Sequence, residues 1–169
     1  SDPQNPQLIA VAPTANPVME VEVAGDRAYL AVRNAGIQVF DVTNPAAPVA
    51  LGLGDTPGTA FELALAGDLG YVADGAEGLQ VMDISDPSAP AVIGSFATPG
   101  VVYGVDVAGD AAYVMDNDNG LYVVDISDPT APVQLGHLST SGVGNNAEID
   151  FPYLYLSEWY SGLRIVDVS

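Results

Sequence analysis

A fourfold internal repeat of 42 residues constrains the fold of this chain more than any other feature. Gly-Asp pairs begin at Gly25, Gly67 and Gly109, each 42 residues after the last, and Phe151-Pro152 takes the fourth position. Three more columns keep this step with no insertion or deletion: Tyr29, Tyr71, Tyr113 and Tyr155; Gly36, Gly78, Gly120 and Gly162; Asp41, Asp83, Asp125 and Asp167. Such a repeat indicates one supersecondary unit that stacks against copies of itself.

Each copy predicts a four-stranded antiparallel unit. In the second copy, TAFELALAG, GYVAD, LQVMDIS and AVIGSFA are predicted strands, separated by a Gly-Asp turn, a GAEG loop and a DPSAP turn. The third strand is apolar on both faces, with Leu79 and Val81 on one and Met82 and Ile84 on the other, so both faces need covering. Four-stranded repeats of about 40 to 45 residues are typical of propeller blades. The sequence therefore predicts an all-β protein, a β-propeller of four 42-residue, four-stranded antiparallel blades.

The N-terminal residues are predicted to complete the last blade. The column of prolines that includes Pro45 points to a fourth proline at position 171, and Pro3 lies 168 residues before that position. The stretch PQLIAVA starts at Pro6, 42 residues before Pro48, and so takes the register of an outer strand. Pairing it with the last strand in the same chain would remove two exposed sheet edges, and the alternative is that it completes a neighbouring molecule. The single domain 1–169 then contains repeats at about 14–55, 56–97, 98–139 and 140–169 plus 2–13.

Two stretches carry a family resemblance. GYVADGAEGLQVMDISDPSAP and AYVMDNDNGLYVVDISDPTAP resemble the LVIVD repeat, in which a strand of this type runs into D-V/I-S-D-P. The resemblance covers all four copies, although copy one departs with VRNAGIQVFDVTNP and copy four with LSEWYSGLRIVDVS. It implies a β-propeller, often on bacterial or archaeal surface and secreted proteins, and it implies no single activity.

The charge balance limits the partners. The chain has 22 acidic residues, three basic residues and a formal charge of −19, so nucleic acid and anionic membranes would repel it. It has no cysteine for disulfides, thiol catalysis or metal binding. No apolar run approaches the roughly 18 residues of a membrane-spanning helix, and no charged-then-apolar leader begins the chain. We expect an extracellular or cell-surface location, no direct membrane insertion and no cofactor other than a possible Ca²⁺.

The repeated aspartates Asp41, Asp83, Asp125 and Asp167 are predicted to be structural. Short carboxylates at such positions accept hydrogen bonds from the backbone of the following turn, and identical positions lack the differing environments that acid–base catalysis needs. The single histidine, His137, falls on an outer strand, far from the axis of a propeller. DNDNG at 116–120 is similar to the start of a calcium loop but lacks the fifth ligand and the glutamate at position twelve. These patterns favour a protein that is not an enzyme.

Two sets of residues are candidates for binding. Acidic residues on the innermost strands would repel one another around a narrow axis, so a cation or water could lie between them, or they could face solvent at the channel mouth. This set is Glu20, Glu22, Glu62, Asp106 and Glu148. In copy four, Trp159 and Tyr160 lie beside Glu158, an arrangement open to protein contact, carbohydrate stacking or local packing.

The function favoured by these patterns is a structural or protein-interaction module, including self-association as a subunit of a surface filament with strand exchange. The alternatives are a carbohydrate- or cation-binding propeller and, less favoured, an enzyme whose site lies over the channel.

Overall fold

The computed structural model describes residues 3–140, 142 and 144–169, which contain fifteen strands in four antiparallel sheets. Blade one contains β1 (Glu20–Ala24), β2 (Arg27–Ala31), β3 (Ile37–Asp41) and β4 (Val49–Gly54). Blade two contains β5 (Glu62–Ala66), β6 (Leu69–Ala73), β7 (Leu79–Asp83) and β8 (Ala91–Phe96). Blade three contains β9 (Val102–Ala108), β10 (Ala111–Asp116), β11 (Gly120–Asp125) and β12 (Val133–Leu138). Blade four contains β13 (Gly144–Asp150), β14 (Tyr153–Glu158) and β15 (Gly162–Asp167).

Tight Gly-Asp turns join the first two strands of blades one to three. Gly25, Gly67 and Gly109 have φ angles of 59°, 61° and 57°, a left-handed conformation that glycine adopts without a steric cost. The turns leave the paired strands in the predicted order, and neighbours in sequence are neighbours in each sheet. The all-β propeller predicted from the repeats is confirmed, and within the described part of the chain no helix has the length and apolarity to cross a bilayer.

The core consists of apolar clusters between successive blades. In each cluster, side chains from the second and third strands of one blade pack against the first strand of the next. The packed sets are Tyr29, Ile37 and Val39 with Leu63; Tyr71, Leu79 and Val81 with Val105; and Tyr113 and Leu121 with Ala147. The stability of each blade therefore depends on its neighbours, as expected for stacked repeats.

The two faces that would join blade four to blade one are exposed. Val21 is 53% exposed, whereas Leu63, Val105 and Ala147 in the same repeat column are 2% to 3% exposed. On blade four, Leu163 is 69% exposed, while its three counterparts in blades one to three are at most 1% exposed. The four blades thus form three buried interfaces and leave the matching surfaces of a fourth interface open to solvent.

The N-terminal segment does not complete blade four, so this part of the prediction was wrong. Within the described residues 3–13 there is no strand, and the third strand of blade four, β15, has no outer neighbour. Leu8, expected to cover apolar surface, is 83% exposed. The segment stays away from β15 because it is held at blade one. There the backbone N–H of Ala15 donates to Oε1 of Gln38 in β3. Blade one does not pack on blade four, so the segment does not reach β15.

Candidate functional site

The repeated aspartates lie where the third strand of each blade ends. The Oδ1 atom of each aspartate accepts a hydrogen bond from the backbone N–H two residues later. The N···O distance is 2.8 Å from Thr43 to Asp41 and 2.9 Å from Ser85 to Asp83. The corresponding bonds of Asp125 and Asp167 measure 2.9 and 3.0 Å. Hydrogen bonds from the side chain and backbone of the following Thr or Ser lower the pKa of Asp41, Asp83 and Asp125. These carboxylates therefore hold the turn toward the outer strand and stay ionised.

Carboxylates on the innermost strands bind the backbone of the next blade. Oε2 of Glu20 in β1 accepts the Leu63 N–H at 3.3 Å, and Oε2 of Glu62 in β5 accepts the Val105 N–H at 3.1 Å. Each bond joins residues 43 positions apart, so the same hydrogen bond from backbone N–H to carboxylate recurs between successive blades, and we call it a latch.

Asp106 in β9 makes the third latch, to blade four. Its Oδ2 accepts the Ile149 N–H at 2.7 Å, and its Oδ1 accepts the Val107 N–H at 2.7 Å. Glu22 and Glu148, the other two members of the predicted axial set, have exposed side chains. The structure therefore divides this set into three residues that join blades and two that face solvent.

Burial changes the ionisation of two of the latch residues. Desolvation, followed by the nearby charge of Glu22, raises the pKa of Glu20 to about 7. Desolvation also raises the pKa of Glu62 to about 8, opposed by hydrogen bonds from the Val105 backbone and the Asn146 side chain and reinforced by the charges of Glu20 and Asp106. Both carboxyls can therefore change protonation state near neutral pH.

A cavity of about 410 Å³, which we call the axial cavity, lies next to these two glutamates and receives side chains from all four blades. Residues of two adjacent repeat columns line it, and Trp159 of blade four adds to them. The first column supplies Met19, Phe61, Tyr103 and Asn145, and the second supplies Glu20, Glu62 and Asn146. The rings of Phe61 and Tyr103 meet edge to face, with centroids 4.6 Å apart. The cavity thus combines an aromatic wall with two titratable acids.

The structure separates the three residues of the predicted surface platform. Trp159 and Tyr160 are exposed, but Glu158 is only 4% exposed. Its Oε1 accepts from Nε of Arg164 at 3.0 Å and its Oε2 accepts from Nη2 at 3.1 Å, and this pairing lowers the pKa of Glu158. Glu158 is the last residue of β14, and Trp159 lies in the turn that follows. Trp159 lines the axial cavity, whereas Glu158 pairs with Arg164.

Comparison with known proteins places this architecture in a family. The LVIVD repeat matches four segments, residues 17–56, 57–98, 99–140 and 152–169, which together cover most of the chain. The chain belongs to the LVIVD-repeat family. No curated protein matches the sequence.

Two solved structures resemble this LVIVD-repeat chain in fold. The computationally designed Ika4 protein has a TM-score of 0.78 and 8% identity, over 98% of this chain and 99% of that one. The computationally designed Ika8 protein has a TM-score of 0.71 and 10% identity, over 89% of this chain and 46% of that one. At such low identity the likeness concerns the fold alone.

Sequence reasoning missed a second column of acids in these LVIVD repeats. In blades two to four, Asp74, Asp116 and Glu158 lie 42 residues apart, at the end of the second strand or directly after it, and all three are buried. Oδ2 of Asp74 accepts the Gly58 N–H at 2.8 Å, and Oδ2 of Asp116 accepts the equivalent Gly100 N–H at 2.8 Å. The acids anchor the connections between blades. The 42-residue spacing was a usable signal, but a valine in blade one interrupts the column.

Three of the cavity residues, Glu20, Glu62 and Trp159, were predicted as binding candidates, but in two separate sets, and the aromatic wall of Phe61 and Tyr103 was missed. The Met19 column reads Met, Phe, Tyr, Asn and the Glu20 column reads Glu, Glu, Gly, Asn, whereas columns such as that of Tyr29 keep one residue in all four copies. A column with a large apolar or aromatic residue in three of its four copies was the available signal for this wall. Among the described residues, no cluster of three or more His, Cys, Asp or Glu side chains could hold a metal ion.

Proposed function

We propose that this chain is a non-enzymatic structural and interaction module, at an extracellular or cell-surface location, that associates with a second copy of itself. The observation that carries the proposal is the pair of exposed faces on blades one and four. The exposed residues occupy the repeat columns that are buried at the three existing interfaces, so the faces are complementary by construction. A blade of the same kind is therefore the partner that fits each face.

The N-terminal segment supplies the strand that blade four lacks. In blade one, β3 and β4 pair Val39 with Gly52 and Ile37 with Gly54. Moving these pairs by the repeat step places Ala10 opposite Ile165 and Ala12 opposite Leu163. In this register, the segment from Gln7 to Ala12 of one copy, which is exposed except at the half-buried Ala10 and Ala12, would extend the open edge of β15 in another, which is strand exchange.

A second gap fits the same segment. At Gly52 and Gly94, a Cβ would collide with the proline turn of the next blade, at Pro87 and Pro129. At Gly136 in β12, the equivalent Cβ would meet, among the described residues, only Val123 of its own blade. The repeat step predicts that the turn beginning at Pro3 fills this place. One segment of a second copy thus accounts for both the missing strand and the missing turn.

The acidic surface and the fold agree with this role. A charge of −19 keeps the chain soluble and disfavours nucleic acid as a partner. Head-to-tail contact between blade four of one copy and blade one of the next closes into a ring or continues as a filament, depending on the rotation between copies. Carbohydrate binding is the second candidate, and it is favoured only by the exposed Trp159 and Tyr160.

The test uses two single-cysteine chains, since the natural chain has no cysteine. One chain carries Ala10→Cys, the other carries Ile165→Cys, and each bears a different mass tag. Oxidation of the mixture should give a disulfide-linked heterodimer, and light scattering of the unmodified chain should show a mass above the monomer. The control replaces Ala10→Cys with Ile9→Cys, because the counterpart of Ile9 is Leu51, which is skipped at a β-bulge.

The outcomes separate the two arrangements. A heterodimer that forms with position 10 and forms poorly with position 9 supports exchange between copies. If the chain is monomeric, and the double variant with cysteines at 10 and 165 forms its disulfide within one molecule, the segment closes its own ring and the proposal is wrong.

A further inference from the structure

The axial cavity carries an inference that is independent of self-association. We propose that it binds a primary alkylammonium group, with the charged head at Glu20, Glu62 and Asn146 and the alkyl stem along the aromatic wall. The cavity lies within one chain and receives residues from all four of its blades. Its volume of about 410 Å³ falls within the roughly 300 to 1,000 Å³ of small-molecule sites.

The polar groups suit an ammonium head. A primary ammonium has three N–H donors and no acceptor, so it needs three acceptors around it. Glu20 and Glu62 supply two carboxyl groups at one side of the cavity. Asn146 also lines the cavity, and its buried Oδ1 has no hydrogen-bond partner among the described residues. A buried acceptor without a donor is costly, and a ligand N–H would remove that cost.

The lining favours an organic cation over a metal ion. Calcium takes six to eight oxygen ligands, whereas two carboxyl groups line this cavity. Among the described residues no group of metal-ligating side chains is large enough to hold an ion. In contrast, Phe61, Tyr103 and Trp159 offer ring surface that a cation can contact and that an alkyl stem can cover.

The electrostatic field also favours a cation. The chain is strongly acidic, and a cleft lined by charge of one sign raises the local concentration of ligands of the other sign. The charges of Glu22 and Asp106 act on Glu20 and Glu62, respectively, and add to the negative potential near the site. A bound cation would favour the ionised form of both glutamates.

The experiment uses pentylamine as the probe and the fluorescence of Trp159 as the readout. Trp159 is the single tryptophan and lines the cavity, so its emission reports on this site. Titration is done at about pH 9, where the amine is still charged and Glu62 is largely ionised. Pentylamine should change the emission in a saturable way. The neutral analogue 1-pentanol should bind roughly tenfold or more weakly, the loss expected for one charge-assisted contact.

Two variants locate the charged head. Glu62→Gln should weaken pentylamine binding roughly tenfold and change 1-pentanol binding much less, since an amide oxygen still accepts from a hydroxyl. Glu148→Gln removes the same charge from an exposed position outside the cavity and should leave both affinities unchanged. The proposal is wrong if pentanol binds as tightly as pentylamine, if Glu62→Gln has no more effect than Glu148→Gln, or if equal concentrations of sodium chloride reproduce the emission change. It is also wrong if neutral sugars saturate the site and pentylamine does not.

Discussion

Glu62 and Asp83 show how position decides the behaviour of a carboxyl group in this chain. Glu62 is partly buried among apolar and acidic groups, and desolvation raises its pKa to about 8. Asp83 lies on the surface at a turn, where hydrogen bonds from the side chain and backbone of Ser85 lower its pKa. The first group favours the folded state when it is protonated, and the second favours the folded state when it is ionised.

The raised pKa values predict that stability falls as the pH rises through neutrality. Glu20 and Glu62 keep their protons in the folded chain up to about pH 7 and about pH 8, while in the unfolded chain they ionise near 4.5. Their contribution is therefore complete below about pH 4.5 and is lost as the pH rises through their folded pKa values. The melting temperature should fall by about 3 to 6 °C between about pH 5 and pH 8.5, after allowance for solvent screening.

A pair of variants isolates the cause of this pH dependence. Glu62→Gln keeps an acceptor for the Val105 N–H but cannot ionise, so its melting temperature should change less with pH than that of the natural chain. Glu148→Gln removes one negative charge from an exposed position and should retain the full pH dependence. Equal pH profiles for the natural chain and Glu62→Gln would show that general charge repulsion, and not Glu62, is responsible.

For individual residues, the sequence predicted which residues recur together better than it predicted what each of them contacts. The aspartates that include Asp41 could be predicted because their hydrogen bonds are local, two residues along the chain. The latch made by Glu62 could not, because its partner is 43 residues away on another blade. Proximity in sequence also misled: Glu158 and Trp159 are adjacent, yet one is buried against Arg164 and the other is exposed.

At the scale of elements, the glycine before each third strand reports whether the outer strand is present. Gly36 has a φ angle of 73°, and a Cβ there would overlap the Gly54 carbonyl oxygen in β4. Gly162, with a φ angle of 83°, has open space around the same position because no outer strand lies beside β15 in the described chain.

This difference predicts unequal effects of two matched substitutions. Gly162→Ala should cost only the strain of the left-handed backbone, about 1 to 2 kcal/mol. Gly36→Ala should cost about 2 to 5 kcal/mol, because overpacking against β4 adds to that strain. Urea denaturation of the monomer measures both, and equal midpoints would contradict the open edge of β15. If strand exchange occurs, Gly162→Ala should also weaken self-association, since Ala12 of the second copy would lie where Gly54 lies in blade one.

The strands themselves could be predicted because each depends on its own short stretch of sequence. Alternation recurs in every copy, Gly-Asp turns and proline turns recur in the first three, and together they specify fifteen strands in the described chain. The sixteenth strand was predicted from register alone. Register shows which residues can pair, but whether they meet depends on the curvature of the whole stack of blades.

At the scale of the whole molecule, the exposed N-terminal segment changes the expected effect of truncation. Leu8, Ile9 and Val11 are largely exposed, so deleting residues 1–13 removes little buried surface. The truncated chain should fold with a stability within about 0.5 kcal/mol of the natural chain, as for other changes at exposed positions. Its capacity to associate should be lost. Circular dichroism and light scattering measure the two effects separately, and a truncated chain that unfolds would show that the segment pairs within its own molecule in solution.

The high negative charge predicts that salt stabilises the folded chain. With a formal charge of −19, the compact state brings many carboxylates together, and their mutual repulsion favours unfolding. Salt at about 0.1 M shortens the range of this repulsion to roughly 10 Å, so the melting temperature should rise between low and moderate sodium chloride.

A matched variant changes Asp26, Asp68 and Asp110 to Asn, which keeps a residue suited to the Gly-Asp turns but removes three negative charges. Its melting temperature should rise less over the same range. A natural chain that melted at lower temperature as salt was added would show that specific ion pairs, such as Glu158 with Arg164, outweigh the general repulsion.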